Sequence, residues 1–224
     1  MKQIGILLAL IFSLALSAQN NSFTYLALGD SYTIGTAIGK KNAYPGLLVD
    51  SIVESFPELK VSTEVIAKNG WTTRDLLNGI ASENPEGTYD MVSLLIGVNN
   101  QYQGLSKKDY RNEFIGLLEK SIGLAGGIKE NVFVISIPDY GVCTVAVDDL
   151  ESISPEIDAF NAINKSIADS IGVSYIYITE ISRIAKGKEE LIASDGLHFS
   201  SAMHELWVKK IWEDYVDERL RAWL

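Results

Sequence analysis

Short apolar runs alternate along the chain with longer segments in which apolar residues recur every three or four positions. The short runs predict five strands: Phe23–Leu28, Val61–Ala67, Met91–Ile96, Val132–Ile137 and Ser174–Ile178. Two of them, within "MVSLLIG" and "VFVISIP", are almost continuously apolar. Strands of that kind are usually covered on both faces. The pattern therefore favours a buried sheet.

The longer segments predict helices over Tyr44–Ser55, Thr73–Ile80, Lys107–Leu124 and Ser154–Ile171, with a closing helix from Ala202 onwards. Ser154 and Pro155 have the order of an N-cap followed by proline at the first helical position. Strands and helices thus alternate five times, which favours an open parallel sheet with helices on both faces. Right-handed crossovers then give a three-layer α/β/α sandwich around a central parallel sheet of five strands.

The first 18 residues, "MKQIGILLALIFSLALSA", carry one positive charge, then an apolar run, then small residues. This is the layout of a secretory signal peptide, with cleavage expected after Ser17 or Ala18. The alternative is a membrane anchor, but the apolar run is short for a span of about 20 residues. We therefore expect no stable anchor, a single domain over residues 19–224, and export to the periplasm or the cell exterior.

Charge and composition argue against several classes of function. A net charge of −10 disfavours nucleic acid as a partner, because an acidic chain repels phosphate. With two histidines and neither HExxH nor CxxC spacing, no metal or other cofactor is predicted. Cys143 is the only cysteine, so an intramolecular disulfide is impossible. We expect this thiol to be a small core or loop residue.

Candidate chemistry lies where the predicted strands end, since ligands of such sheets bind beyond the carboxyl ends of the strands. Ser31 follows the first strand in "GDS", but a serine hydroxyl needs a base to become a nucleophile. His198, in the polar loop "SDGLHFS", is the candidate base. Asp195 precedes it by three residues and could orient the imidazole and stabilise its protonated form. His204 lies in the closing helix, where a surface or packing role is expected.

Acyl transfer also needs donors for the oxyanion of the tetrahedral intermediate. The candidates are the backbone N–H of Ser31, the backbone N–H of Gly70 after the second strand, and the side-chain amide of Asn99 after the third. Gly70 as a turn former and Asn99 as a turn residue are the alternatives.

Four blocks of the sequence resemble those of the SGNH (GDSL) hydrolases, in the same order: "GDS" at 29–31, Gly70, "GVNN" at 97–100 and "DGLH" at 195–198. The resemblance implies a flavodoxin-like fold with a Ser31 nucleophile, a His198 base oriented by Asp195, and an oxyanion hole from Ser31, Gly70 and Asn99. Three positions depart from the family pattern. Tyr32 replaces a leucine, Asn100 replaces an aspartate, and Phe199 replaces a proline. The second change implies the loss of a carboxylate that orders the loop.

Function is therefore predicted as a secreted serine esterase that uses an acyl-serine intermediate on a small acyl group, such as acetyl on a carbohydrate. A lysophospholipase, lipase-like acylhydrolase or thioesterase at the same site is an alternative. A non-catalytic binding module and a flavodoxin-type phosphate-binding loop are two further alternatives. Asp30 and Asn100 are expected to line the substrate site. An aromatic rim is expected from Trp71, Tyr102, Tyr140 and Phe199.

Overall fold

A computed structural model describes residues 21–223 of the chain. The predicted signal peptide lies outside the described residues. Five strands are present: β1 (Ser22–Gly29), β2 (Lys60–Ala67), β3 (Met91–Leu95), β4 (Val132–Ile135) and β5 (Ser174–Ile176). They form one parallel sheet in the order β2-β1-β3-β4-β5.

The described α-helices are α1 (Ser31–Ile34), α2 (Tyr44–Ser55), α3 (Thr73–Glu83), α4 (Val98–Tyr102), α5 (Lys107–Leu124), α6 (Leu150–Ile171), α7 (Thr179–Arg183), α8 (Ser201–Ile211) and α9 (Asp217–Trp223). A π-helical turn over Trp212–Val216 joins α8 to α9. Within residues 21–223, no helix is both long enough and apolar enough to cross a membrane.

Helices flank the sheet and complete the predicted three layers. Helix α2 packs against α8, whereas α3 packs against α5 and α5 against α6. Right-handed crossovers put α2 on one face and α3, α5 and α6 on the other. Two of the inner strands, β3 and β4, are buried along their whole length, as their apolar runs predict. The predicted α/β/α fold with a five-stranded parallel sheet is confirmed.

The strand order reverses direction between β1 and β3, because β2 lies on one side of β1 and all later strands lie on the other. Such a reversal opens a crevice at the carboxyl ends of the strands, where ligands bind in folds of this type. The segments that leave β1, β2 and β3 all begin at this edge. These segments contain Ser31, Gly70 and Asn99.

Helix α6 begins at Leu150, one turn before the predicted N-cap at Ser154. The hydroxyl of Ser154 is buried without a hydrogen-bond partner, so it does not cap the helix, and Pro155 lies inside it. Proline in that position removes one intrahelical hydrogen bond. Ile153 is buried against Gly141, and this contact stabilises the extra turn that the prediction missed.

Strand β4 ends two residues before its predicted end at Ile137. The backbone of Ile137 bonds to the Asn161 side chain of α6 instead of a neighbouring strand. Its N–H donates to Oδ1 at 2.8 Å and its carbonyl accepts from Nδ2 at 3.0 Å. Hydrogen bonds to a side-chain amide thus replace those between strands at the point where the chain leaves the sheet.

Candidate active site

Ser31 is the first residue of α1, immediately after β1. Gly29 makes this abrupt change of direction possible, because a Cβ there would lie 2.5 Å from the carbonyl oxygen of Leu95. Asp30 is the N-cap of α1, and its Oδ1 accepts the Tyr32 N–H at 3.1 Å. As an N1 residue, Ser31 has a backbone N–H without an intrahelical partner. The N–H of Ser31 therefore remains available to a ligand.

Asp195 and His198 form a closed hydrogen-bonded loop. Asp195 Oδ1 accepts the backbone N–H of Leu197 at 3.0 Å and of His198 at 2.9 Å. Its Oδ2 lies 2.6 Å from His198 Nδ1. Partial burial raises the pKa of Asp195, but the hydrogen bonds from His198 and Leu197 outweigh that effect and leave the pKa below its ordinary value. A charged carboxylate therefore keeps the proton on Nδ1 and leaves Nε2 as the basic nitrogen.

Tyr32 brings the His198 loop next to the helix that begins with Ser31. The Tyr32 and His198 rings meet edge to face, with their centroids 5.7 Å apart. The Tyr32 ring also packs against Phe199 and Trp207. Between these two described segments, no hydrogen bond joins Ser31 Oγ to the imidazole. Catalytic hydrogen bonds of unliganded sites commonly shorten only when substrate binds.

A direct hydrogen bond joins Asn99 to the segment after β2 that contains Gly70 and Trp71, which we call the Gly70 loop. Asn99 Nδ2 donates to the carbonyl oxygen of Trp71 at 2.9 Å, which uses one of its two N–H groups. Gly70 has a φ of 79°, a conformation that L-residues rarely adopt, and a Cβ there would meet nothing within 4 Å. The position therefore favours glycine because of its backbone conformation and not because space is short. The hydrogen bond to Trp71 thus connects Asn99 to the residue next to Gly70.

Asn100 is buried and does not line a substrate surface, which corrects the prediction. Its Oδ1 accepts the Thr73 N–H at 3.0 Å, and its Nδ2 donates to Thr73 Oγ1 at 2.7 Å. These bonds order the segment after β3 and satisfy the first N–H of α3. The carboxylate that the family resemblance implies is missing, and the Asn100 amide connects α4 to α3 in its place.

The predicted aromatic rim is corrected in part. Phe199 is fully buried, as is the carboxyl of Asp30, so neither lines an open surface. The side chain of Tyr140 is almost buried and donates to Gln101 Oε1 at 2.9 Å. Trp71 is half-buried. Of the predicted rim, Tyr102 is the exposed ring, at 70% of its surface.

One exposed residue near the site had no signal in the sequence. Val145 is 64% exposed, and its backbone N–H donates to the carbonyl oxygen of Gly196 at 3.1 Å. Gly196 lies between Asp195 and His198, so Val145 borders the loop that carries both. Only the folded chain brings residues 145 and 196 together, and no local motif predicts this contact.

The two other reactive side chains are buried. His204 Nδ1 accepts the Tyr44 N–H at 3.0 Å, and burial, together with the nearby His198, lowers the His204 pKa to about 3. His204 is therefore a packing residue. Burial and the carboxylates of Asp139 and Asp195 raise the pKa of Cys143 to about 12, which makes this thiol inert, as expected. Within residues 21–223, no group of three or more potential ligands could hold a metal ion.

Burial of the Asp30 carboxyl destabilises the folded protein when the carboxyl is charged. Its Oδ2 is buried without a hydrogen-bond partner, and burial raises the pKa of this carboxyl to about 7, although the Tyr32 N–H opposes the shift. The folded protein therefore binds this proton more tightly than the unfolded chain does. The resulting stability is complete below the ordinary pKa of 3.8 and is lost as the pH rises through 7.

We expect Asp30→Asn to stabilise the protein at alkaline pH. Asparagine keeps the oxygen that caps α1 and removes the buried charge. A shift from 3.8 to about 7 corresponds to a gain of up to about 4 kcal/mol at pH 8. Urea unfolding of both proteins from pH 4 to pH 8 measures it. A difference in unfolding free energy that does not grow with pH would contradict this account.

Solved structures with the same fold include several ester hydrolases. A lipase/acylhydrolase from Enterococcus faecalis has 22% identity and a TM-score of 0.63, covering 89% of this chain and 96% of its own. The acetylxylan esterase Axe2 from Geobacillus stearothermophilus has 19% identity and a TM-score of 0.67, covering 88% and 96%. The esterase EstA from a Pseudoalteromonas species has 16% identity and a TM-score of 0.63, covering 88% and 98%. At such identities the likeness establishes the fold alone.

Sequence comparison identifies the family. A search of curated proteins found no match. Residues 27–206 match the model of the GDSL-like lipase/acylhydrolase family. This range is most of the chain and contains the four blocks from Gly29 to His198. The chain therefore belongs to the GDSL-like lipase/acylhydrolase family and is an ester hydrolase.

Proposed function

We propose that this ester hydrolase is an exported serine esterase that removes a small acyl group through an acyl-serine intermediate. The observation that carries the proposal is the 2.6 Å contact between Asp195 Oδ2 and His198 Nδ1, in a loop that packs on the residue next to Ser31. A fixed Nδ1–H leaves Nε2 as the base. That is the requirement for activating a serine.

In the first step, Ser31 Oγ attacks the ester carbonyl while His198 Nε2 takes the hydroxyl proton. The Asp195 carboxylate stabilises the imidazolium that forms. Negative charge on the former carbonyl oxygen is stabilised by the N–H groups of Ser31 and Gly70 and by the free N–H of the Asn99 amide. His198 then protonates the alcohol that leaves. Water attacks the acyl-serine while His198 takes a proton from it, and the carboxylic acid leaves as His198 returns the proton to Ser31 Oγ.

Asn99→Ala is expected to lower kcat by about 10² to 10³ with little change in stability. The variant removes one oxyanion donor and a single hydrogen bond, the one to the Trp71 carbonyl. Steady-state kinetics on p-nitrophenyl acetate, with a thermal unfolding curve, measures both effects. A folded variant with wild-type kcat would exclude Asn99 from the oxyanion hole.

Exposed apolar side chains on two segments at the carboxyl edge of the sheet suggest where the substrate lies. Tyr102 follows Asn99 by three residues and meets Tyr140 edge to face at 6.1 Å. Val145 borders the His198 loop. The exposed ring of Tyr102 offers a flat, apolar surface with a polar tip, which suits the face of a sugar ring. We therefore propose an acetylated carbohydrate as the substrate class, and Axe2, an acetylxylan esterase, has the same fold.

A panel of esters tests the substrate class. We expect p-nitrophenyl acetate to be cleaved with a higher kcat/KM than the butyrate or octanoate, and acetylated xylose or glucose derivatives to release acetate. Preference for octanoate would instead favour a lipase-like acylhydrolase. Preference for acyl thioesters would favour a thioesterase. Absence of turnover on every ester would favour a non-catalytic binding module.

Export is proposed from residues 1–18 alone, whose charged start, apolar run and small residues fit a cleaved signal. The intact mass of the protein recovered outside the cytoplasm tests it. A mature chain that begins at Ala18 or Gln19 supports cleavage, whereas retention of Met1 to Ala18 contradicts it.

A further inference from the structure

A chain of hydrogen bonds runs from Asn100 away from the proposed active site. Asn100 bonds twice to Thr73, as described above. Thr73 Oγ1 donates to Glu113 Oε2 at 2.5 Å, and Arg74 donates to Glu113 Oε1 through Nε at 2.9 Å and Nη2 at 2.7 Å. Glu113 lies in α5 with a side chain that is only 12% exposed. Three elements, α3, α4 and α5, are thus joined by one polar chain.

The donors and acceptors in this chain can be arranged in one way only. The Glu113 carboxylate only accepts, so the single proton of the Thr73 hydroxyl is committed to it. Thr73 Oγ1 must then accept from Asn100, which places the NH₂ group of Asn100 towards the hydroxyl. The Asn100 oxygen in turn faces the Thr73 N–H. The Thr73 N–H and the Glu113 carboxylate therefore require the same orientation of the Asn100 amide, and Glu113 fixes the direction of the Thr73 hydroxyl between them.

Asn99 and Asn100 connect the same two segments. Asn99 bonds to the Trp71 carbonyl, and Asn100 bonds to Thr73 two residues further on. We propose that Glu113 is a positioning residue. Through Thr73 and Asn100, it keeps the Asn99 amide and the Gly70 N–H in the relative position that binding of the oxyanion requires. This inference rests on the proposed function, because the groups that Glu113 positions are those of the proposed oxyanion hole.

The arrangement also gives a physical reason for asparagine at position 100, where the family pattern described above implies aspartate. A carboxylate at position 100 would compete with Glu113 for the one hydroxyl proton of Thr73. One of the two carboxylates would then face the lone pairs of the Thr73 hydroxyl and receive no hydrogen bond from it. Two negative charges would also lie close together in a buried site. Both effects are unfavourable. Asparagine at 100 and glutamate at 113 form a matched pair.

A double substitution tests the pairing. We expect Asn100→Asp to lower kcat on p-nitrophenyl acetate by about 10- to 100-fold, with KM changed by less than about threefold. Glu113→Gln alone has a smaller effect. In the double variant, the new amide at position 113 can keep its oxygen on Arg74 and donate its NH₂ to Thr73. The Thr73 hydroxyl is then free to donate to the new carboxylate at position 100. The double variant is therefore expected to recover to within about threefold of the wild-type kcat.

Glu64→Gln is the matched control, because Glu64 Oε2 also accepts a hydroxyl at 2.5 Å, from Tyr89. Glu64 lies in β2, and Tyr89 precedes the amino end of β3. Adding Glu64→Gln to Asn100→Asp should not restore kcat. Additive losses when Asn100→Asp and Glu113→Gln are combined, or equal rescue by Glu64→Gln, would overturn the inference.

A second pair of variants decides the outcome if Asn100→Asp does not fold. Thr73→Ser keeps the hydroxyl and should keep kcat within about threefold, whereas Thr73→Val should lose at least about tenfold. Equal activities of the two would overturn the inference. Labelling of wild-type Ser31 by a fluorophosphonate distinguishes failure of the proposed function from failure of the inference about Glu113. Without labelling, the proposed function fails, and with labelling but no coupling, the inference alone fails.

Discussion

Ser31→Ala is expected to lower kcat/KM by about 10⁶-fold and to leave the fold intact. The loss follows because alanine removes the hydroxyl that His198 is proposed to activate. Ser31 Oγ makes no hydrogen bond with any described residue, and α1 is capped by Asp30, so the native contacts survive the change. Ester hydrolysis by the purified variant, together with its circular dichroism spectrum, measures both parts.

Ser51→Ala is a suitable control for this substitution. The Ser51 hydroxyl donates to the Leu47 carbonyl within α2 at 2.9 Å, and its removal should leave hydrolysis unchanged. Residual turnover by Ser31→Ala within tenfold of wild type would mean that another group supplies the nucleophile.

Asp195→Asn is expected to reduce kcat by about 10⁴-fold. The amide oxygen can keep the bonds from the backbone N–H groups of Leu197 and His198, so the loop is retained. The amide NH₂ then faces His198 Nδ1, which must become an acceptor, and the proton moves to Nε2. The base is lost although the geometry is preserved.

Steady-state kinetics measures the effect of Asp195→Asn, with Asp169→Asn as its control. Asp169 pairs with Lys165 on the exposed side of α6, outside the α1 segment and the His198 loop. We expect the control to retain full activity. A loss of less than tenfold in Asp195→Asn would show that the carboxylate does not set the tautomer of His198.

The fold was predictable where the helical period of apolar residues extends over many positions of the sequence. The bounds of α2 and α5 coincide with the prediction, because each is a long amphipathic segment with a clear beginning and end. Short helices such as α1, α4 and α7, of four or five residues, contain too few turns to produce a period. The start of α6 was missed because burial of Ile153 outweighs the local preference for capping at Ser154.

The site was predictable to the extent that its contacts are local. Asp195 and His198 are three residues apart and meet as their spacing predicts. Phe199 was expected at the surface, but its antiparallel bridge to Ile192 turns the ring into the core. The link from Asn100 to Glu113 passes through Thr73, which precedes both by many residues, and single-sequence patterns do not encode contacts of that range.

The central claim is that Ser31 is activated by a base that lies near the other end of the chain. Covalent labelling by a fluorophosphonate tests it most directly, since only an activated serine reacts. We expect mass spectrometry to find one adduct per chain, on the peptide that contains Ser31. The adduct should be absent in Ser31→Ala and strongly reduced in a folded His198→Ala variant. An unmodified wild-type protein, or an adduct on a different serine, would contradict the account.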